Sequence, residues 1–254
     1  VILAVDIGNT HTVLGLFDES GLGEHWRTSS NPALTADELR IKLAALLADG
    51  GHALGDIDHV IISSVVPRLT AAYQEVAEEA CGRVPMVVGP GLKTGMTIRY
   101  DNPHEVGADR IVNGIAAYLA LGGPVVVVDF GTATTIDVID GTGAYLGGAI
   151  APGVETSAEA LFTKAARLSK VDLDAPPKVI GTNTRTSVQA GLILGEAAMV
   201  DGLVRRVWEE LGTQTPVMAT GGLAAKMAPI CETITAVDPD LTLKGLVEVY
   251  RRNT

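Results

Sequence analysis

The sequence predicts an α/β protein made of a duplicated βββαβαβα domain. Three observations carry this expectation. An apolar strand that ends in Asp, turns through Gly and enters a second strand occurs twice, at 2–16 and at 125–139. The two copies are offset by 123 positions, close to half of the 254 residues, so that Asp6 falls on Asp129, Gly8 on Gly131, Thr12 on Thr135 and Val13 on Ile136. A repeat of that length is a duplicated domain, because solenoid repeats run to roughly 20–50 residues. Finally, the segments after each copy follow the same order of strand and helix signals. The expected domains are 1–114 and 115–254.

Taken in order, the first strand pair leads to a third strand that closes near Trp26-Arg27-Thr28. Thr35-Ala36-Asp37-Glu38 is a capping box, and Leu39, Leu43, Leu46 and Leu47 follow at helical spacing until Gly50-Gly51. Residues 59–65 are rich in β-branched types and read as a buried strand. Pro67 suits the first turn of a helix that Gly82 closes. Residues 85–88 form a short strand. From 89 to 107 the periodicity dissolves among Pro90, Gly91, Gly95, Pro103 and Gly107, and a loop of that length is usually functional or disordered. A helix then begins at Asp109-Arg110 with Ile111, Ile115 and Leu119 on one stripe.

The second half repeats the order. Strands are expected near 125–130, 133–140 and 144–151, and Pro152-Gly153 opens a helix. Pro176-Pro177 marks an irregular stretch, and the polar turn 181–186 feeds a long helix to 211. Residues 216–219 form a strand that ends in Thr220-Gly221-Gly222. Residues 233–237 give a last strand, and 241–252 a closing helix.

Composition narrows the function classes. Apolar content of 47% is enough for two cores. The apolar runs are broken by Gly, Asp and Pro, and none approaches the roughly 20 residues of a membrane helix. No basic leader precedes the first strand, so a cytoplasmic protein is expected. A net charge of −11 argues against nucleic acid, whose phosphates are met by Lys and Arg. Cys81 and Cys231 lack metal spacing and read as structural residues of a reducing compartment.

The chemistry lies in the two Asp–Gly turns. Glycine lets backbone N–H groups approach an anion, and successive N–H groups form an anion-binding concavity. A carboxylate beside phosphate is repulsive unless a cation stands between them. Two such turns at half-length spacing point to two loops that grip one nucleotide. Asp109 admits two readings at this stage, a favourable first-turn or cap residue and a chemical group. Arg110 offers a planar fork to a carboxylate or to a phosphate. His11 and His104 have no partner at metal spacing and read as polar residues near the motifs.

The duplicated domain with an Asp–Gly loop in each half resembles the actin, Hsp70 and sugar-kinase superfamily. Asp6-Ile7-Gly8-Asn9-Thr10, Gly107-Ala108-Asp109-Arg110, Asp129-Phe130-Gly131-Thr132 and Gly147-Gly148-Ala149-Ile150-Ala151-Pro152-Gly153 resemble the signatures of type III pantothenate kinases, as do Gly181-Thr182-Asn183-Thr184 and Thr220-Gly221-Gly222. The resemblance runs from Val1 to Arg252 in order and spacing. It implies ribonuclease H-like, actin-like ATPase domains with the ATP site between them. It implies ATP-dependent phosphorylation of the pantothenate 4′-hydroxyl, a homodimer, magnesium, and a monovalent cation, potassium or ammonium.

By the same resemblance, Asp6, Ile7, Gly8, Asn9, Thr10, His11, Thr12 and Val13 hold the ATP phosphates, with Asp6 on magnesium. Thr132, Gly221 and Gly222 face the nucleotide, and Asp129 helps bind the monovalent cation. Tyr100, Gly107, Ala108, Asp109, Arg110 and Thr184 line the pantothenate pocket, with Asp109 as proton acceptor. The competing readings are a sugar or small-alcohol kinase of the same fold, a non-catalytic nucleotide-binding regulator, and a structural ATPase. Loss of Asp6, Gly8 or Asp109 would favour the regulator, and all three residues are present.

Overall fold

A computed structural model describes every residue except Pro90, Ala166, Arg167 and Ser169, so Pro90 in the irregular stretch lies outside the described residues. The chain forms two compact units. The first comprises Val1–Met96, Asp101–Ala116 and Asp240–Thr254; the second comprises Thr97–Tyr100 and Ala117–Pro239.

The first unit is built on a five-stranded sheet of β1 (Ile2–Ile7), β2 (His11–Asp18), β3 (Gly21–Ser29), β4 (His59–Ser64) and β5 (Met86–Val87), in the order β3-β2-β1-β4-β5. β1 pairs antiparallel with β2 and parallel with β4. Helix α1 (Ala36–Asp49) starts at the expected capping box, with both reciprocal hydrogen bonds of Thr35 and Glu38 formed. Helix α2 (Pro67–Cys81) has Pro in its first turn and ends at Gly82 with φ 63°, the left-handed cap that glycine adopts without strain. Leu3, Val5 and Ile7 of β1 pack with Leu39, Leu43 and Leu47 of α1 and Leu69 and Val76 of α2.

The compact units differ from the expected cut at 114/115 in one main respect. The closing helix α8 (Leu241–Arg251) packs on β1, β2 and β4 of the first unit. It also meets α3 (Ala108–Leu121): a Cβ at Gly245 would lie 2.1 Å from the Val112 carbonyl oxygen, so the two backbones approach where only glycine fits. Burial of Leu241, Leu243, Leu246 and Val249 against this sheet outweighs chain proximity to the second half.

The second unit repeats the plan with β6 (Val125–Phe130), β7 (Ala133–Ile139), β8 (Tyr145–Pro152), β9 (Val217–Thr220) and β10 (Ala236–Val237), ordered β10-β9-β6-β7-β8. Asp6 and Asp129 occupy equivalent places. Asp6 stands opposite Val13 on β2 and Ser63 on β4, and Asp129 opposite Thr135 on β7 and Thr220 on β9. The ladders correct the expected alignment of the second strand, however. Three residues separate β1 from β2, but two separate β6 from β7. Thr12 therefore matches Thr134 rather than Thr135, and both are buried.

Helix α4 (Val154–Lys164) follows β8. The long helix expected from 184 to 211 is present as α5 (Thr184–Gln189), a π-helical turn Ala190–Leu194, and α6 (Gly195–Leu211). Contrary to the expectation that no segment reaches membrane length, Thr184–Leu211 is long and apolar enough to do so by length and composition. Its Ile193, Ala197, Val200 and Val204 belong to the core of the unit, and its Asp201 carboxylate accepts from the Glu232 and Thr233 backbone N–H groups at 2.9 Å each. This is the pattern of a core helix. The last strand is shorter than expected because the Thr233 and Thr235 side chains bond to Asp201 and Val217, leaving Ala236 and Val237 in the ladder. Helix α7 (Ala224–Met227) has no periodic signal in so short a segment.

Candidate active site

In the first unit, β1 delivers Asp6 to the edge of the turn 8–10. The Gly8 N–H closes this turn on the His11 carbonyl at 3.0 Å, and a Cβ at Gly8 would also lie 3.0 Å from that oxygen, tighter than most real Cβ contacts. Asn9, Thr10 and His11 are exposed at its tip. Sequence reasoning missed the residue that braces the turn. Ser30 donates its hydroxyl to the Gly8 carbonyl at 2.6 Å and its backbone N–H to the Thr10 carbonyl at 2.9 Å. Having one hydroxyl proton, committed to Gly8, Ser30 must accept from Thr12 Oγ1 at 2.9 Å. Thr12 in turn is bonded to the Tyr73 hydroxyl, a phenol that burial pushes up to about 12 and so keeps neutral. Thr12 thus supports the turn from beneath. Ser30 lies beyond the motif, just after β3, and no local signal ties it to the turn.

The equivalent turn in the second unit is Asp129-Phe130-Gly131-Thr132. The Gly131 N–H reaches the Ala133 carbonyl at 3.1 Å. The Thr132 carbonyl accepts from the Gly153 N–H at 3.1 Å and from Thr156 Oγ1 at 2.7 Å, which seats the turn on the start of α4. A Cβ at Gly153 would lie 2.3 Å from the Gly131 carbonyl oxygen. Gly221 has φ +92°, and a Cβ there would lie 2.3 Å from Asp129 Oδ1 and 2.7 Å from the Phe130 carbonyl oxygen. Gly221 is therefore required by the turn beside it, whatever ligand approaches. Beneath the turn, Thr134 Oγ1 donates to Glu196 Oε1 at 2.6 Å. Burial pushes the Glu196 carboxyl above the ordinary range, with the Thr134 hydrogen bond opposing.

Among the remaining residues, Asp109 lies in the first turn of α3. Its Oδ1 accepts from the Arg110 N–H at 2.8 Å and would lie 2.4 Å from a Cβ at Gly107, so Gly107 leaves space for the carboxylate. Ala108 and Asp109 are half-buried, and Arg110 is 7% exposed. Tyr100 belongs to the four-residue segment Thr97–Tyr100 of the second unit, where Ile98 bridges in parallel to Tyr145. Thr184 opens α5 behind the Asn183 cap, whose Oδ1 accepts the Thr186 N–H at 2.9 Å. Thr184 lines a cavity of about 790 Å³ with Ser157, Leu161, Ser187 and Leu192. The predicted residues thus gather within each unit: 6–13 across the β1–β2 turn, 107–110 at the head of α3, and Asp129 and Thr132 at the β6–β7 turn with Gly221 beside it.

The family model for type III pantothenate kinase matches residues 2–206. The type III pantothenate kinase of Moorella thermoacetica is 50% identical over 254 residues, covering 100% of both chains. The chain belongs to the type III pantothenate kinase family. Solved structures agree on the fold. A conserved Baf family protein from Campylobacter jejuni superposes with a TM-score of 0.63 at 20% identity, covering 99% of this chain and 98% of that one. A ROK hexokinase from Thermus thermophilus superposes with a TM-score of 0.51 at 12% identity, covering 98% and 97%. Family membership accounts for the shared strand–turn–strand units, which the sugar-kinase-like fold repeats in each half.

Proposed function

We propose that the protein transfers the γ-phosphoryl group of ATP to the 4′-hydroxyl of pantothenate, the first step toward coenzyme A. The observation that carries this reading is full-length identity of 50% to a pantothenate kinase, with the Asp–Gly turns and the Gly107–Arg110 segment intact. Phosphoryl transfer passes through a loose transition state, so positioning and charge neutralisation are the main tasks of the protein. Backbone N–H groups of residues 7–13 hold the phosphates, and Thr132, Gly221 and Gly222 approach the nucleotide. Asp109 orients the acceptor hydroxyl and takes its proton late, and a helix start favours its ionised form. Tyr100, Gly107, Ala108, Arg110 and Thr184 bind pantothenate.

ATP-dependent kinase chemistry requires a divalent cation such as magnesium. No group of three or more His, Cys, Asp or Glu gathers among the described residues, so no all-protein cage is present there. This fits magnesium, which takes one or two carboxylates and completes its shell with phosphate oxygens and water. Asp6 is the carboxylate that would hold it, and when bound it neutralises the phosphate charge. Asp129 would hold the monovalent cation. The protein acts as a cytoplasmic homodimer in this reading, which the free Cys81 and Cys231 and the exposed Val179 and Ile180 support.

The test is turnover of ATP in a coupled assay with pantothenate against a panel of sugars. Pantothenate-dependent turnover that rises with potassium or ammonium is expected. Turnover with a sugar alone would replace this reading with the rival kinase, and activity unchanged when a bulky organic cation replaces potassium would remove the role given to Asp129.

A further inference from the structure

The segment Thr97–Tyr100 pairs with the outer strand of the second sheet at Tyr145. The Tyr145 N–H donates to the Thr97 carbonyl at 2.8 Å, and its carbonyl accepts from the Arg99 N–H at 2.8 Å. Its ring lies 6.3 Å from the ring of Tyr100, tilted by 54°. On the next ladder position, Gly147 forms a shelf: with φ +119°, a Cβ there would lie 3.3 Å from the Tyr100 ring. The Arg99 guanidinium adds an ion pair to Asp140 at 3.0 Å.

Tyr145 is itself fixed from the interior. It is fully buried, and its hydroxyl donates to Asp137 Oδ1 at 2.7 Å. Asp137 is also fully buried, and its other oxygen accepts from Thr135 Oγ1 at 2.8 Å. A buried carboxylate is costly unless its oxygens are met by donors, and here the Tyr145 and Thr135 hydroxyls meet them. A phenylalanine and an apolar residue would fill the same space without it. What the carboxylate adds is a fixed direction for the phenol, and hence for the ring on which Tyr100 rests.

We infer that Asp137 and Tyr145 are positioning residues for pantothenate binding: the buried carboxylate–phenol pair sets the ring of Tyr145, and Tyr145 sets the ring and backbone of Tyr100. The inference rests on the reading of Tyr100 as a pantothenate residue. Both side chains are fully buried and act on substrate only through Tyr100 in this inference. Their effect falls on the alcohol substrate, because Tyr145 pairs directly with segment 97–100.

The test is a double-mutant cycle read in KM and kcat for both substrates. Tyr145→Phe keeps the ring and removes the hydroxyl. It raises the pantothenate KM by about fivefold, in the lower part of the range for coupled neighbours, with the ATP KM unchanged. In a Tyr100→Leu background the same change has no further effect on the pantothenate KM. Asp137→Asn keeps an acceptor for the phenol and holds the pantothenate KM within about twofold of the native value, whereas Asp137→Ala reproduces Tyr145→Phe. If Asp137→Ala does not fold, the Tyr145→Phe cycle decides alone. A folded Tyr145→Phe protein with native pantothenate KM, or equal effects in both backgrounds, overturns the inference while Tyr100 keeps its role. A native pantothenate KM in Tyr100→Leu overturns the inference and the reading of Tyr100 together.

Discussion

Asp109→Asn separates the chemical role of Asp109 from its structural one. The structural contribution can be worked from its contacts. Its Oδ1 accepts the Arg110 N–H at 2.8 Å in the first turn of α3, and an Asn carbonyl oxygen can accept the same bond. What the substitution removes is the negative charge near the helix start, worth about 0.3–1 kcal/mol. For a chain of this size, ~1 kcal/mol shifts Tm by about 2–4 °C, so the melting temperature falls by no more than that. The chemical contribution is larger. A general base is worth on the order of 10²–10⁴ in rate, so kcat falls by about that factor. The ATP KM changes little, because residues 6–13 and 129–132 lie in separate turns. The assay pairs steady-state kinetics with pantothenate and ATP with thermal unfolding of the same preparation. A kcat within threefold of native, accompanied by a lower Tm, would mean that Asp109 serves the helix alone, and the proton-acceptor role would be withdrawn.

Three further outcomes follow from the geometry. Gly221→Ala places a Cβ 2.3 Å from Asp129 Oδ1 at φ +92°, so backbone strain of about 1–2 kcal/mol and overpacking of about 1–3 kcal/mol combine, and the expected drop in Tm is the largest of any single methyl addition in the second turn; an unchanged Tm would show that the turn moves freely. Burial raises the Glu196 carboxyl, so the folded state binds this proton more tightly than the unfolded chain, and the stability it contributes at low pH is lost as pH rises through its folded-state value. Glu196→Gln, which keeps an acceptor for Thr134, should therefore raise Tm more at pH 8 than at pH 4, and a gain independent of pH would contradict the assignment. Light scattering at micromolar concentration should report a dimer, with Val179→Asp and Ile180→Asp shifting it toward monomer; a monomeric native protein would remove the homodimer. Met199, Leu203 and Val207 of the long helix pack on the core of their own unit, which leaves less of that helix for a subunit interface.

Local chemistry made much of this protein legible from the sequence. Thr35 and Glu38 announce α1, and Pro67 and Gly82 bracket α2, because caps and glycine ends act within a few residues. The paired Asp–Gly turns, and with them the family, are legible for the same reason: each turn is a contiguous run of residues. The contacts between segments remote in sequence were decided by tertiary structure. Ladder register shows that the second turn is one residue shorter, so that Thr134 takes the place of Thr12. Packing brings Ser30 under Gly8, Gly221 against Asp129, and Tyr145 onto Asp137 and Tyr100. It also carries α8 back to the first sheet, where its apolar face is buried. Periodicity can say that a helix has a face to bury, but only the assembled sheets determine which surface receives it.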